Sequence, residues 1–287
     1  VVRLFREVMS ACRALEQPLT VAYLGPAGTF SEAATVKQFG QSTRGLPVAS
    51  IDAVFHAVEQ EEAHYGVVPV ENSTEGAIGR TLDLLLGTPL HICGEVVLRV
   101  RQNLLRARPD LQGLRVVYSH AQSLAQCQGW LGGHLPDVER VAVASNAEAA
   151  RLAAEQPDAA AIAGETAGQH YGLSVVAPNI EDDAGNTTRF LVLGRDEAAP
   201  SGRDKTSLAI FARNRPGSLM ALIEPFARLG VGLSKLESRP ARSGAWEYVF
   251  YIDLEGHQRD AQVAEALRQA AEQALSMKVL GSYPVAL

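Results

Sequence analysis

Five clusters of hydroxyl, amide and glycine residues are where this 287-residue chain could do chemistry. They are Gly25-Pro26-Ala27-Gly28-Thr29-Phe30-Ser31, Glu71-Asn72-Ser73-Thr74-Glu75-Gly76, Ser119-His120-Ala121-Gln122-Ser123, Ser145-Asn146-Ala147-Glu148 and Asn186-Thr187-Thr188-Arg189-Phe190. Four of them follow runs that read as strands, and the last leads into the apolar run Leu191-Val192-Leu193. In open α/β sheets, ligands bind beyond the carboxyl ends of strands, where helix N-termini present free N–H groups. Such groups can hold a carboxylate with little formal charge. That matters here, because a net charge of −6 gives no long-range attraction for an anion. The pieces also have plainer uses. Ser145 with Glu148 is a capping box, and Ser31 reads as a helix N-cap. His120 is either a general base or a lone surface histidine. Cys127 lies on an apolar helix face and reads as core.

Composition removes several classes of function. The negative balance argues against nucleic acid, which needs a concentrated basic face. No apolar run approaches the ~20 residues that span a bilayer, so no membrane partner is expected. Cys12, Cys93 and Cys127 are widely spaced, and no histidines form an HxH or HxxxH pair. A metal is therefore not expected, and a reducing, cytoplasmic setting is. Walker, GxGxxG, GxSxG and HExxH signatures are missing. The opening VVRLFREVMSACRALEQ has helical apolar spacing and scattered charges, unlike a secretory signal.

Strand and helix patterns alternate from Thr20 to about Gly194, the signature of parallel-rich sheets covered by helices and long enough for two lobes. A polar, Pro- and Gly-containing linker occupies 195–205. Beyond it the order becomes strand, helix, strand, strand, helix, strand, the ferredoxin-like plan. On the residues alone, the chain is a two-lobed α/β binder of a small anion, with a second domain.

The motifs VAYLGPAGTFSEAA, VVPVENSTEGAIG, YSHAQSLAQC, ASNAEAA and NTTRFLVLG resemble, in order and spacing, those of the prephenate dehydratases. RPGSLMALIEPFARLGVGLSKLESRP looks like the ACT domain attached to them. The resemblance implies a periplasmic-binding-protein-like dehydratase domain over 20–196 and a βαββαβ ACT domain over 205–287. Residues 1–18 resemble the last helix of the chorismate mutase part in bifunctional members. It also implies conversion of prephenate to phenylpyruvate, carbon dioxide and water, without metal or organic cofactor, under feedback by L-phenylalanine. By the same resemblance, Thr188 donates to the departing ring hydroxyl. Asn72, Ser73, Thr74, Ser119, Gln122 and Ser145 line the cleft, Arg189 supplies charge for a carboxylate, and Phe190 walls the ring. Asn214, Gly217, Ser218, Leu219, Glu237, Ser238, Arg239 and Pro240 match the effector motifs, which implies a homodimer or homotetramer. Ala121 stands where proline is usual, Asn146 where threonine is usual, and Ser218 where alanine is usual. Arogenate is the rival substrate. A solute-binding protein is the rival class, set against the complete Thr188-Arg189-Phe190 triplet.

Overall fold

Alternating strand and helix patterns of residues 20–194 become two sheets in the computed structural model, which describes residues 2–16, 18–212, 215–240 and 248–286. The chain runs through α1 (Val2–Glu16), β1 (Thr20–Leu24), α2 (Phe30–Phe39), β2 (Arg44–Val48), α3 (Ile51–Glu59) and β3 (Tyr65–Asn72). The short β4 (Gly76–Ala77), α4 (Gly79–Gly87) and β5 (His91–Arg99) follow. It then crosses to β6 (Asn103–Arg106), β7 (Val116–His120), α5 (Ala121–Gln126), α6 (Gln128–His134) and β8 (Glu139–Val143). Next come α7 (Asn146–Glu155), β9 (Ala159–Ala163), α8 (Glu165–Tyr171) and β10 (Ser174–Ala177), before β11 (Thr187–Gly194) returns. The first sheet has the order β2-β1-β3-β11-β5, with β4 beside β3, and the second β10-β6-β9-β7-β8. This is the two-lobed plan expected from the sequence.

Strand alternation explains how the second lobe buries both faces of its sheet. Leu105 packs with Ala149, Ala153 and Ala167 of α7 and α8. Its neighbour Leu104 packs with Cys127, Leu131 and Ile180 on the opposite side. Cys127 is fully buried there, as its apolar surroundings in the sequence suggested. The two crossings between lobes are tied to each other, with Val100 N–H donating to Asn186 O at 2.9 Å and Ile180 N–H to Gln102 O at 2.8 Å.

The remaining elements are β12 (Asp204–Ala212), α9 (Ser218–Arg228), β13 (Leu233–Pro240), β14 (Tyr248–Glu255), α10 (Ala261–Gln273) and β15 (Ser276–Pro284). They form a four-stranded sheet in the order β13-β14-β12-β15, antiparallel throughout. One face is covered by Leu222 and Phe226 of α9 and by Val263, Ala266 and Leu267 of α10. This is the ferredoxin-like arrangement that the βαββαβ order predicts.

Two compact units result: Val1–Gly79 with Val96–Phe190, and Arg80–Glu95 with Leu191–Leu287. Thus α4 and the first part of β5 belong with the ferredoxin-like sheet. Lys278 Nζ of β15 donates to Leu85 O, Leu86 O and Thr88 O at 2.9, 3.2 and 2.6 Å, closing the carboxyl end of α4. Such an end has unpaired carbonyls and negative partial charge, so an ammonium suits it. Tyr251 Oη donates to Leu82 O at 2.9 Å, and Arg239 lies 3.6 Å from Asp83. Gly281 backs so closely onto Ile92 that an added Cβ would lie 2.8 Å from its backbone nitrogen, so no side chain fits.

Candidate active site

Thr188 is the second residue of β11, beside the end of β3, and its hydroxyl belongs to a buried amide network. Asn72 Nδ2 donates to Thr188 Oγ1 at 3.0 Å and to Asn186 Oδ1 at 2.9 Å. The other end of the amide is equally engaged: Asn72 Oδ1 accepts from the Thr74 and Glu75 N–H groups at 3.0 and 3.2 Å. That turn fixes which way the Asn72 amide faces, because only an oxygen can accept there. Ser73 ties the two strands together, donating its N–H to Thr187 O and accepting from Thr187 N–H through Oγ, both at 2.9 Å.

Thr188 and Asn72 border a cavity of about 480 Å³, a size suited to a small organic ligand. Pro26, Thr29, Phe30 and Ser31 form one wall; His120, Gln122, Ser123, Gln126, Ser145 and Asn146 form another, with Val100 and Gln102 from the crossing segment. No lysine or arginine lines it among the described residues. The N-termini of α2 and α7 open onto it. Thr29, not Ser31, caps α2, accepting from the Glu32 N–H at 3.5 Å. The expected Ser31 cap is therefore corrected: Ser31 is the second residue of α2, is buried and lines the cavity. Ser145 does both jobs, capping α7 through the Glu148 N–H at 3.0 Å while lining the cavity. Glu148 itself turns to Arg151 at 2.8 Å, and that guanidinium holds its carboxyl below the usual range.

Asn146 organises the far wall. Its Oδ1 accepts from His120 N–H at 3.1 Å and lies 3.0 Å from Ser119 Oγ, whose proton goes to Ile162 O, and its Nδ2 donates to Ser123 Oγ at 2.9 Å. Gln102 Nε2 donates to the same Ser123 Oγ at 3.0 Å and to Gln126 Oε1 at 3.3 Å. The His120 imidazole has no hydrogen-bond partner among the described residues. The lobes meet beside the cavity at Gly28, where an added Cβ would lie 3.2 Å from Ala167 Cα and φ is +88°.

Of the residues expected to line the cleft, Asn72, Gln122, Ser145 and Thr188 do so. Ser119 is fully buried behind the wall, donating to Ile162 O at 2.7 Å. Ser73 serves the β3–β11 junction, and Thr74 is exposed on the turn above it. Arg189 follows Thr188 and so points to the opposite face of its strand, where it lies 3.8 Å from Glu71. Phe190 shares the face of Thr188 but is only 2% exposed and packs in the core. Sequence reading missed Gln102 and Gln126, and named Ser123 only as a member of its cluster, with no role. Gln122 and Gln126 are four apart on one helical segment, a spacing that could have flagged the second from the first.

The effector motifs come to one end of the ferredoxin-like sheet, since Ala212 and Pro240 both pair with Tyr248. Gly217, with φ +82°, precedes α9, which Ser218 and Leu219 begin. Glu237, Ser238, Arg239 and Pro240 close the edge strand β13. Asn214 lies outside the described residues. Among the described residues no group of three or more His, Cys, Asp or Glu side chains could hold a metal ion, and no helix is long and apolar enough to cross a membrane.

A family model described as prephenate dehydratase matches residues 21–198, and one described as ACT domain matches 206–272. The bifunctional chorismate mutase/prephenate dehydratase of Neisseria gonorrhoeae is 56% identical over 290 residues, covering 100% of this chain and 80% of that protein. The structure of the Arthrobacter aurescens prephenate dehydratase in complex with L-Phe is similar at TM-score 0.84 and 33% identity, covering 93% of this chain and 90% of that one. A structure described as GqqA, a novel type of quorum quenching acylase, is similar at TM-score 0.85 and 28% identity, covering 93% and 98%.

Proposed function

The chain belongs to the prephenate dehydratase family, carbon–oxygen lyases, with an ACT domain after the catalytic part, and from that premise we propose how its cleft expels the ring hydroxyl. In prephenate the bond to the ring carboxylate breaks and releases carbon dioxide. Its electron pair enters the ring, and the ring C–O bond breaks on the other side. The departing oxygen takes up one proton overall and leaves as water, and the ring becomes aromatic. The driving force lies in the substrate, so the protein has to hold a dianion and stabilise charge building on one oxygen.

The supporting observation is the bond from Asn72 Nδ2 to Thr188 Oγ1. With an oxygen that is already accepting, the Thr188 hydroxyl keeps its proton free for the cavity, and the donated bond polarises it further. Threonine is too weak an acid to give up that proton for long. Its role is therefore a positioned hydrogen bond that strengthens as the C–O bond stretches, with solvent supplying the net proton. Helix N-termini and neutral donors hold the carboxylates. An acylase needs an activated nucleophile, and His120, the one imidazole among the described lining residues, makes no hydrogen bond to a hydroxyl among the described residues.

L-Phenylalanine, bound at the end of the ACT sheet between two copies of the chain in the cytoplasm, inhibits this reaction. The L-Phe complex of the Arthrobacter aurescens relative and the residues Glu237-Ser238-Arg239-Pro240 support that reading. Incubation of the chain with prephenate, followed by phenylpyruvate absorbance, tests the chemistry. Thr188→Val keeps the shape and strand preference while removing the hydroxyl. It should lower kcat by at least ~10²-fold with KM comparatively spared. A folded variant with near wild-type kcat would remove Thr188 from this role.

A further inference from the structure

Ser123 stands in a position that constrains its single proton. It is 5% exposed, on the wall of the cavity, and its hydroxyl oxygen accepts from two side-chain amides, Gln102 Nε2 at 3.0 Å and Asn146 Nδ2 at 2.9 Å. A serine oxygen has two acceptor sites and one donor proton. Both acceptor sites are taken, so the residue can make one further bond, as a donor.

The Asn146 orientation that produces this is set from its other end, and that of Gln102 by the cost of the alternative. Asn146 Oδ1 accepts from the His120 backbone N–H, which cannot itself accept, so Asn146 must offer Nδ2 to Ser123. Gln102 has its Oε1 buried without a partner. Turning that amide round would instead leave a two-proton NH2 group in the same buried spot, the costlier arrangement. No acceptor for the Ser123 proton exists among the described residues, and a buried donor is rarely left unmade.

We infer that Ser123 is a substrate-positioning residue whose hydroxyl donates to a carboxylate oxygen of the bound dianion. The inference rests on the dehydratase reading above and adds to it a specific anion donor on the wall opposite Thr188. A carboxylate is the chemistry that fits, because no lysine or arginine lines the cavity among the described residues and a dianion must be met by neutral donors. Thr188 and Ser123 then share one design: an amide occupies the oxygen, and the proton is left for the ligand. Asn146, where the resembling family usually has threonine, contributes here. Its amide spans Ser119, His120 and Ser123 at once.

The test is steady-state turnover of prephenate by Ser123→Ala and Ser123→Thr, with melting temperatures alongside. A hydrogen bond to a charged group accounts for roughly 10–100-fold in affinity. Ser123→Ala should therefore raise KM about tenfold or more while kcat stays within about threefold of wild type. Ser123→Thr keeps a hydroxyl and should recover most of the loss. A wild-type KM in folded Ser123→Ala would overturn the inference. So would a fall in kcat with KM spared, which would place the hydroxyl in the bond-breaking step. Equal damage to both variants with a lowered melting temperature would also overturn it, by making the role structural. Wild-type protein that failed to turn over prephenate would instead overturn the dehydratase reading, and this inference with it.

Discussion

At the start of β11, Thr188 and Asn72 are buried and already bonded to each other, whereas on β13 the residues Leu233–Pro240 alternate between exposed and half-buried along a sheet edge. The first region is largely set before any ligand arrives: the Asn72 amide is held from both ends, so little reorganisation of the Thr188 hydroxyl is left for the reacting state. The second is open. An edge strand presents unpaired backbone groups and side chains that another molecule can cover. A site of that kind takes its final form from what binds it, which suits a regulatory role that depends on differential affinity for two states. The same chain thus pairs a preorganised cavity with an open sheet edge.

The largest expected effect would break the preorganised side. Asn72→Asp keeps the Oδ1 acceptor for the Thr74 and Glu75 N–H groups but replaces the donor to Thr188 with a second oxygen. The Thr188 proton should then turn to the new carboxylate, and kcat should fall about as far as in Thr188→Val, by ~10²-fold or more. The Thr188→Val/Asn72→Asp double variant should be little worse than either single one, because the two residues act as a unit. Additive losses in the kinetic assay would mean that Asn72 acts on the substrate by a separate route.

Much of this arrangement was legible because it is local. Strand-then-helix order, the βαββαβ order and the placement of Thr188 ahead of an apolar strand all follow from patterns a few residues long. Arg189 was harder to place: it adjoins Thr188 in sequence, and only strand pleating sends it to the face where Glu71 lies. The far wall was the least legible part. Gln102, Ser123 and Asn146 come from three separate segments, and their shared bonds link residues 21 and 23 apart in sequence. The attachment of Arg80–Glu95 to the ferredoxin-like sheet was invisible for the same reason, since it depends on side chains such as Lys278 reaching residues 190 or more positions away.

That attachment changes how the open region should be probed. Removing Arg203–Leu287 would strip α4 of its packing as well as removing the effector motif. Point variants are cleaner. Ser238→Ala should shift half-inhibition by phenylalanine to about tenfold higher concentration, the loss expected for one hydrogen bond to a charged ligand. Unchanged inhibition would mean that phenylalanine does not act through β13.

A smaller effect should come from Lys278, whose ammonium meets three carbonyls at the end of α4 and whose pKa is lowered by burial. Lys278→Met keeps the length of the stem and leaves those carbonyls without a donor. At about 1–3 kcal/mol for unmade buried bonds, the melting temperature should fall by about 2–8 °C. An unchanged melting temperature would show that water replaces the ammonium freely at that end of α4.

Cysteine reactivity should sharpen the comparison with the least disturbance, because each compact unit holds one sheltered thiol. Cys127 lies beneath the cleft at the α5–α6 junction, and Cys93 lies on β5 with its thiol donating to Val192 O at 3.4 Å. Burial pushes both up to about 12, with the carboxylates of Asp182 and Glu181 adding to the rise at Cys127 and Asp196 at Cys93. At pH 8 such a thiol is thiolate for only about one part in 10⁴, and the thiolate is the reactive form. Cys12 is exposed on α1 and carries no such shelter. An aromatic disulfide reagent at pH 8 should therefore release one equivalent of chromophore promptly and the other two only after denaturation. Stepwise denaturant would then date the opening of each region separately, with mass spectrometry assigning the labelled residue. If the effector region is the looser of the two, Cys93 should react at lower denaturant than Cys127. Prompt labelling of Cys127 in buffer alone would mean that the wall carrying Ser123 and Gln126 opens freely, and the contrast between a preorganised cavity and an open sheet edge would fail.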